Sequence, residues 1–241
     1  MKKIAIMQPT YLPWLGYFSL MDRVDTFVIL DSVQFDKRSW QQRNRIKTPH
    51  GEHILTVPVL TKNRFYQKIN EVEIVKDSNF VEDHIKAIQL NYAKAPFFNT
   101  YFKDLAALLR KDHHHLFDLN IDIIRWLKES FNIRTEIVSS SQLEPSGAKV
   151  ELLVDICTKL DATGYLSPAG SKIYMNESDL FALKNIKVEY QDYQPMVYTQ
   201  LFGEFIPYLS AIDLLFNEGE RSLAVIQAGE RLLVSHGNHD Q

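Results

Sequence analysis

Apolar residues open the chain in two short runs. Lys3 to Met7 is apolar after its first residue and stops at Gln8-Pro9, and Thr26 to Asp31 reads Thr-Phe-Val-Ile-Leu-Asp. Runs this short, closed by turn residues or a carboxylate, fit strands buried on both faces. Between them lie a loop rich in Pro, Gly and aromatics, Tyr11 to Tyr17, and a short helix expected over Phe18 to Val24. Strand, loop, helix and strand in about 30 residues is the size of a βαβ unit.

The pattern then changes period. Phe98, Tyr101, Phe102, Leu105 and Leu109 share one helical face, as do Leu116, Leu119, Ile123, Leu127 and Phe131. They predict a helical subregion at about 80–131 inside a single α/β domain spanning 1–241. Arg134 to Val138 reads as a strand and Ser139 to Gly147 as a loop. Val150, Leu153, Val154, Cys157 and Leu160 then recur at helical spacing, and Ala162 to Leu166 reads as a strand. His53 to Val59 and Val72 to Val75 read as strands of a small antiparallel or edge piece. Ile186 to Tyr190 is a further strand, and Ser210 to Phe216 a helix with Ser210 as N-cap and Gly219 as stop. Strands alternating with helices predict an open, mostly parallel, doubly wound sheet of the Rossmann-like kind, with helices on both faces.

Composition narrows the function classes. The 241 residues carry 27 Lys+Arg and 30 Asp+Glu, a formal charge of −3, and 45% of them are hydrophobic. That is enough apolar material for a core, and the weak negative charge opposes a nucleic-acid coat. The one cysteine, Cys157, makes neither an internal disulfide nor a cysteine-rich zinc site. No apolar stretch reaches the roughly 18 residues of a membrane span, and the apolar run after Lys2-Lys3 is too short for a secretory core. A cytoplasmic protein is expected.

In an open parallel sheet, ligands bind beyond the carboxyl ends of the strands. The loop after the first strand offers Gln8 and Thr10 as hydrogen-bonding groups and Tyr11, Trp14 and Tyr17 as a platform for a sugar or base. Gly16 could admit a phosphate to the helix N-terminus. Turn chemistry and core packing are the competing reading. The loop matches neither a P-loop nor a Gly-x-Gly-x-x-Gly fingerprint. After the second strand come Asp31, an acid–base candidate that could equally cap a helix or a turn, and Gln34.

Residues 37–47 carry five cations and no acid, which leaves the rest of the chain at −8. In an extended segment Arg43, Arg45 and Lys47 share one face, where a diphosphate or nucleotide would relieve their repulsion. Arg38, Trp40 and the amides Gln41, Gln42 and Asn44 accompany them. A solvated basic edge that blocks aggregation would look similar. A third loop, with Ser167, Gly170, Lys172 and Tyr174, would add hydroxyls and backbone N–H groups. His113-His114-His115 cannot all face one metal on a helix, His236, His239 and Asp240 fall in the tail, and Cys157 reads as core. No metal site is predicted.

These residues carry a family resemblance. Gln8-Pro-Thr-Tyr-Leu-Pro-Trp-Leu-Gly-Tyr-Phe18, Asp31-x-x-Gln34-Phe35, Trp40-x-x-Arg43-Asn-Arg-Ile-Lys47, Tyr165-Leu-Ser-x-x-Gly-x-x-x-Tyr174, Tyr198-x-Gln200 and Phe205-Ile-Pro-Tyr-Leu-Ser-Ala-Ile-Asp213-Leu-Leu-Phe-Asn217 resemble the WbqC-like family over nearly the whole chain. Members of that family occur in bacterial polysaccharide clusters, such as those for O-antigen. The resemblance implies modification of a nucleotide-linked amino sugar by acyl or aminoacyl transfer. A more distant likeness runs to nucleotidylyltransferase-like enzymes of the pantothenate synthetase type. Those enzymes hold ATP phosphates with a His-x-Gly-His that is here Trp14-Leu-Gly16-Tyr17, so ATP with Mg stays open as a cofactor.

Three functions follow. In the first, a transferase or ligase, Gln8, Thr10 and Tyr17 orient a nucleotide sugar or other phosphorylated small molecule. Arg43, Arg45 and Lys47 bind its phosphates, Asp31 serves as base, and Gln34 holds a polar group of the substrate. An acyl or aminoacyl donor is the second partner. The alternative is a non-catalytic binding module that holds a nucleotide sugar or glycan for a partner enzyme. RNA recognition through the basic segment ranks last, because the net charge opposes it.

Overall fold

The structure is a computed structural model, and it describes residues 1–171 and 179–232. Lys172, Ile173 and Tyr174 and the histidines of the tail lie outside these. Strands β1 (Lys3–Met7), β2 (Thr26–Ile29), β5 (Glu136–Ser139), β6 (Gly164–Ser167) and β7 (Lys187–Tyr193) run parallel in one sheet. Strand β8 (Glu230–Leu232) closes one edge antiparallel to β7. The order is β5-β2-β1-β6-β7-β8, so successive connections leave β1 in opposite directions. The topological switch point lies between β1 and β6, where such sheets open a crevice at their carboxyl ends.

Side chains alternate across the sheet, and each face has its own core. Ala5, Phe27, Ile29 and Leu166 join a large cluster with helices α1 (Leu15–Asp22), α2 (Phe80–Tyr92), α3 (Phe98–Leu109) and α4 (Leu116–Ser130), and with Ala211 to Phe216. Ile4, Ile6, Val28 and Tyr165 join a smaller one with Leu153, Ile156 and Cys157 of helix Val150–Lys159 and with Phe181 and Ile186. Two-sided burial is what the unbroken apolar runs of β1 and β2 require. The doubly wound α/β fold with helices on both faces is therefore present, and the helical middle of the chain covers one face.

Three local expectations are corrected. The antiparallel piece is a hairpin of β3 (Arg43–Thr48) with β4 (Gly51–Thr56), closed by Pro49-His50 with Gly51 at φ +106°. Val72 to Val75 contributes only isolated bridges, Glu73 to His115 and Ile74 to Val59. Helix α1 begins at Leu15, ahead of the expected Phe18. The Ser/Gly loop contains one helical turn, Ser140–Leu143, whose Ser141 N–H donates to Asp31 Oδ1. That cap comes from a residue distant in sequence, so no local pattern announces it. Ser210 does cap its helix, Ala211–Glu218, by accepting from Ile212 N, and Gly219 follows its end at φ +53°.

Candidate functional site

Two adjoining cavities open at the carboxyl end of β1. One, of about 370 Å³, is lined by Met7, Thr10, Trp14, Tyr17, Trp40, Asn44, Arg45 and Tyr208. The other, of about 410 Å³, is lined by Gln8, Thr10, Asp36, Ser39, Trp40, Gln41, Tyr165 and Pro168 over Ile6, Met7, Leu30 and Leu153. Met7, Thr10 and Trp40 belong to both, so the two form one groove at the switch point. Its first half is aromatic and its second polar.

Three elements supply most of the groove's polar side chains, with Tyr17 of α1, Tyr165 and Pro168 at the end of β6, and Tyr208 completing the walls. The loop after β1 supplies Gln8, Thr10 and Trp14, and the loop after β2 supplies Asp36 to Gln41. Strand β3 crosses to supply Asn44 and Arg45. Asn44 fixes the crossing, because its Nδ2 donates to Tyr11 O and Leu12 O at 3.1 and 2.6 Å. Gln41, 2% exposed, links the two loops by donating from Nε2 to Gln8 Oε1 at 2.9 Å and accepting from Asp36 N at 3.2 Å.

The walls hold polar atoms that the chain leaves unpaired. Among the described residues nine buried side-chain polar atoms have no partner; three belong to residues that line the groove, Thr10 Oγ1, Tyr17 OH and Arg45 Nε, and a fourth, Arg43 Nε, belongs to the arginine beside Trp40. A buried polar group without a partner costs about 1–3 kcal/mol, so such clustering needs a reason. Tyr17 is 1% exposed, and burial pushes its phenol far above the usual range. It is a neutral donor and acceptor. The Trp40 indole, 47% exposed, lies 5.2 Å from the Arg45 guanidinium carbon and 5.9 Å from that of Arg43, within cation–π range.

The basic segment divides its charges. Arg45 is already paired: its NH1 donates to both Glu52 oxygens at 2.9 and 2.8 Å, and its NH2 to Tyr208 O. Lys47 is 1% exposed and donates to Gln200 Oε1 at 3.1 Å and to Glu204 O. Burial lowers its pKa, and the nearby Asp213 carboxylate partly restores it. Arg43 has no ion pair among the described residues. The expected row of three free cations is therefore absent, because β4 and the Tyr198 to Asp213 region supply partners for two of them. Arg38 is exposed at φ +63° and lines neither cavity.

Several other candidates are occupied elsewhere. Asp31 is 1% exposed; its Oδ1 accepts from Ser140 Oγ and Ser141 N, and its Oδ2 from Ser141 Oγ and Asn70 Nδ2. The geometry gives it the capping role, with no oxygen turned to the groove. Gln34 donates to Phe65 O away from both cavities. Tyr11 is buried, its hydroxyl 2.8 Å from His84 Nδ1, and offers no stacking platform. Burial lowers the His84 pKa to about 4, so the ring is neutral. Ser167 is tied to Ser171, and Gly170 is exposed beside open space; of that loop Pro168 reaches the groove. Cys157 is buried, which pushes its thiol up to about 12.

Gly16 is needed for a different reason from the one expected. A Cβ there would overlap the Trp14 ring, so the indole occupies the space over the first turn of α1. Trp14 is held by Tyr193 and Tyr208, each at 5.5 Å between ring centroids. The N-terminus of α1 therefore does not fit ATP phosphates. Among the described residues no cluster of three His, Cys, Asp or Glu side chains could hold a metal ion. None of the described helices is long and apolar enough to cross a membrane.

Several wall residues, Tyr208, Asp36 and Ser39 among them, were absent from the sequence candidates. Tyr208 sits within the Phe205 to Asn217 motif, at φ +61°, which was a usable signal. Asp36 falls between Gln34-Phe35 and the basic segment, with no pattern of its own.

Comparison with known proteins adds a relationship. A family model described as the WbqC-like protein family matches residues 8–225. An uncharacterized protein of Mycobacterium tuberculosis is 38% identical over 221 residues, covering 91% of this chain and 95% of its own. No solved structure matches the chain.

Proposed function

The chain belongs to the WbqC-like protein family, and from that premise we propose that it is a transferase or ligase acting on a nucleotide-linked amino sugar. It adds an acyl or aminoacyl group during the assembly of a bacterial surface polysaccharide. The observation that carries the reading is the groove at the switch point, with its aromatic walls and three unpaired polar atoms on its lining residues. A sugar or nucleobase ring stacks well on Trp14, Trp40 and Tyr208. Its hydroxyl or carbonyl groups would satisfy Thr10 Oγ1 and Tyr17 OH, and Gln8 Nε2 and Arg43 would meet the phosphates. The test follows mass changes when the protein is incubated with a nucleotide amino sugar and either an acyl thioester, whose thiol is the leaving group, or an amino acid together with ATP. An acylated or aminoacylated sugar is expected.

The binding module remains a second reading because one observation favours it. Among the described residues the hydroxyls of Thr10, Tyr17 and Ser39 in the groove have no carboxylate or imidazole partner. Saturable binding of nucleotide sugars with no product under any donor would select it.

A further inference from the structure

We propose that Asp36 is the residue that recognises the amino group of the sugar, holding it as an ammonium in the polar half of the groove. The inference rests on the nucleotide-sugar reading above and assigns one end of the ligand to one carboxylate.

Asp36 contributes the one carboxylate among the residues lining the two cavities. Its side chain is exposed, and among the described residues its carboxylate makes no ion pair and accepts no hydrogen bond, although Lys37 and Arg38 follow it directly. Its backbone is held at both ends: the N–H donates to Gln41 Oε1 at 3.2 Å, and the carbonyl accepts from Ser39 Oγ at 2.6 Å. The carboxylate is thus carried by a fixed backbone yet unspent. Asp31, the other acid after β2, shows the contrast, since four donors already occupy it.

The surrounding chemistry suits a cation of small size. Arg45, the charged residue of the aromatic half, is neutralised by Glu52, so it neither pairs with Asp36 nor demands an anion there. Ser39 and Gln8 add polar atoms beside Asp36, while Trp40 offers an indole at the junction. An ammonium brings three donors and one positive charge, and a carboxylate on a polar wall is the partner it binds best. A hydroxyl at the same position would donate one hydrogen bond to the carboxylate but bring no positive charge, so the ion-pair attraction is lost. The amide of an already acylated sugar carries no charge and is larger. Asp36 therefore favours the free amine, the substrate form, over the acylated product.

The experiment uses UDP-linked hexoses with an amino group at C2, C3 or C4, each matched to its hydroxyl analogue, titrated calorimetrically at pH 6.5. The wild-type protein should bind one amino sugar about twofold to fivefold more tightly than its analogue, the range for a solvent-exposed ion pair. Asp36→Asn keeps both backbone hydrogen bonds, so it should unfold at the wild-type temperature. It should lose the preference while binding the hydroxyl analogue as before. Equal binding of every pair by the wild-type protein would overturn the assignment, and so would a preference that survives in Asp36→Asn. Both results leave nucleotide-sugar binding standing. If no UDP-sugar binds at all, the nucleotide-sugar reading itself fails, and this inference with it.

Discussion

Strand β3 serves two buried polar regions that differ in how completely they are paired. At Lys47 the strand meets a closed set. Asp213, fully buried, accepts from Tyr92 OH at 2.9 Å, Tyr198 OH at 2.6 Å and Gln200 Nε2 at 2.9 Å. Tyr92 OH in turn accepts from Lys47 N, and Gln200 Oε1 accepts from Lys47 Nζ and Ile206 N. At Arg43 and Arg45 the same strand borders the groove, where the arginine Nε atoms, Thr10 Oγ1 and Tyr17 OH have no partner. The first region ties the hairpin, helix Ala211–Glu218 and the 198–206 segment together. The second is incomplete among the described residues, and in the function proposed above a ligand supplies the missing bonds. Polar burial alone does not mark a site; unpaired polar burial beside a cavity does.

The largest effect should come from breaking the closed set. Asp213→Ala leaves the Lys47 ammonium buried without its carboxylate and strips two tyrosine hydroxyls of their acceptor. It should cost about 3–5 kcal/mol of stability in urea unfolding. Burial raises the Asp213 pKa, while its three donors and Lys47 pull it back down.

A third buried pair, Tyr11 with His84, predicts a pH dependence. His84 takes up a proton near pH 6.5 when unfolded but only near pH 4 when folded, so protons favour the unfolded chain. The stability held above pH 6.5 should therefore fall as the pH drops to about 4, by up to about 3 kcal/mol from this group, and level off below. Urea midpoints between pH 7 and 4 for the wild type and for His84→Gln check this, since the variant should show the shallower decline.

The two regions can then be compared through single hydroxyls. Tyr198→Phe removes a donor from Asp213 and should cost about 1–3 kcal/mol. Tyr17→Phe removes a hydroxyl that has no partner, so its stability should stay within about 0.5 kcal/mol of the wild type or rise.

Much of the frame was legible because burial on both faces leaves a plain trace. The runs of β1 and β2 and the helical spacing of Leu116 to Phe131 needed no knowledge of partners. Hairpin strand β3 was harder: Arg43-Asn-Arg-Ile-Lys47 has a polar composition, yet Asn44, Ile46 and Lys47 are all buried. In the groove, Gln8, Thr10, Trp14, Tyr17, Trp40 and Arg45 were visible as an aromatic loop and a basic segment. Asp31, Tyr11 and Lys47 were visible too, but their partners Ser140, His84 and Gln200 lie 109, 73 and 153 residues away. Local chemistry names residues able to bind a ligand; long-range pairing decides which of them remain free to do so.

The central claim, that the unpaired atoms exist for a ligand, is tested most directly by Thr10→Val together with Tyr17→Phe, titrated with the UDP-sugar that binds the wild-type protein best. The account predicts unchanged or raised thermal stability and an affinity at least tenfold weaker. Wild-type affinity in the double variant would contradict it.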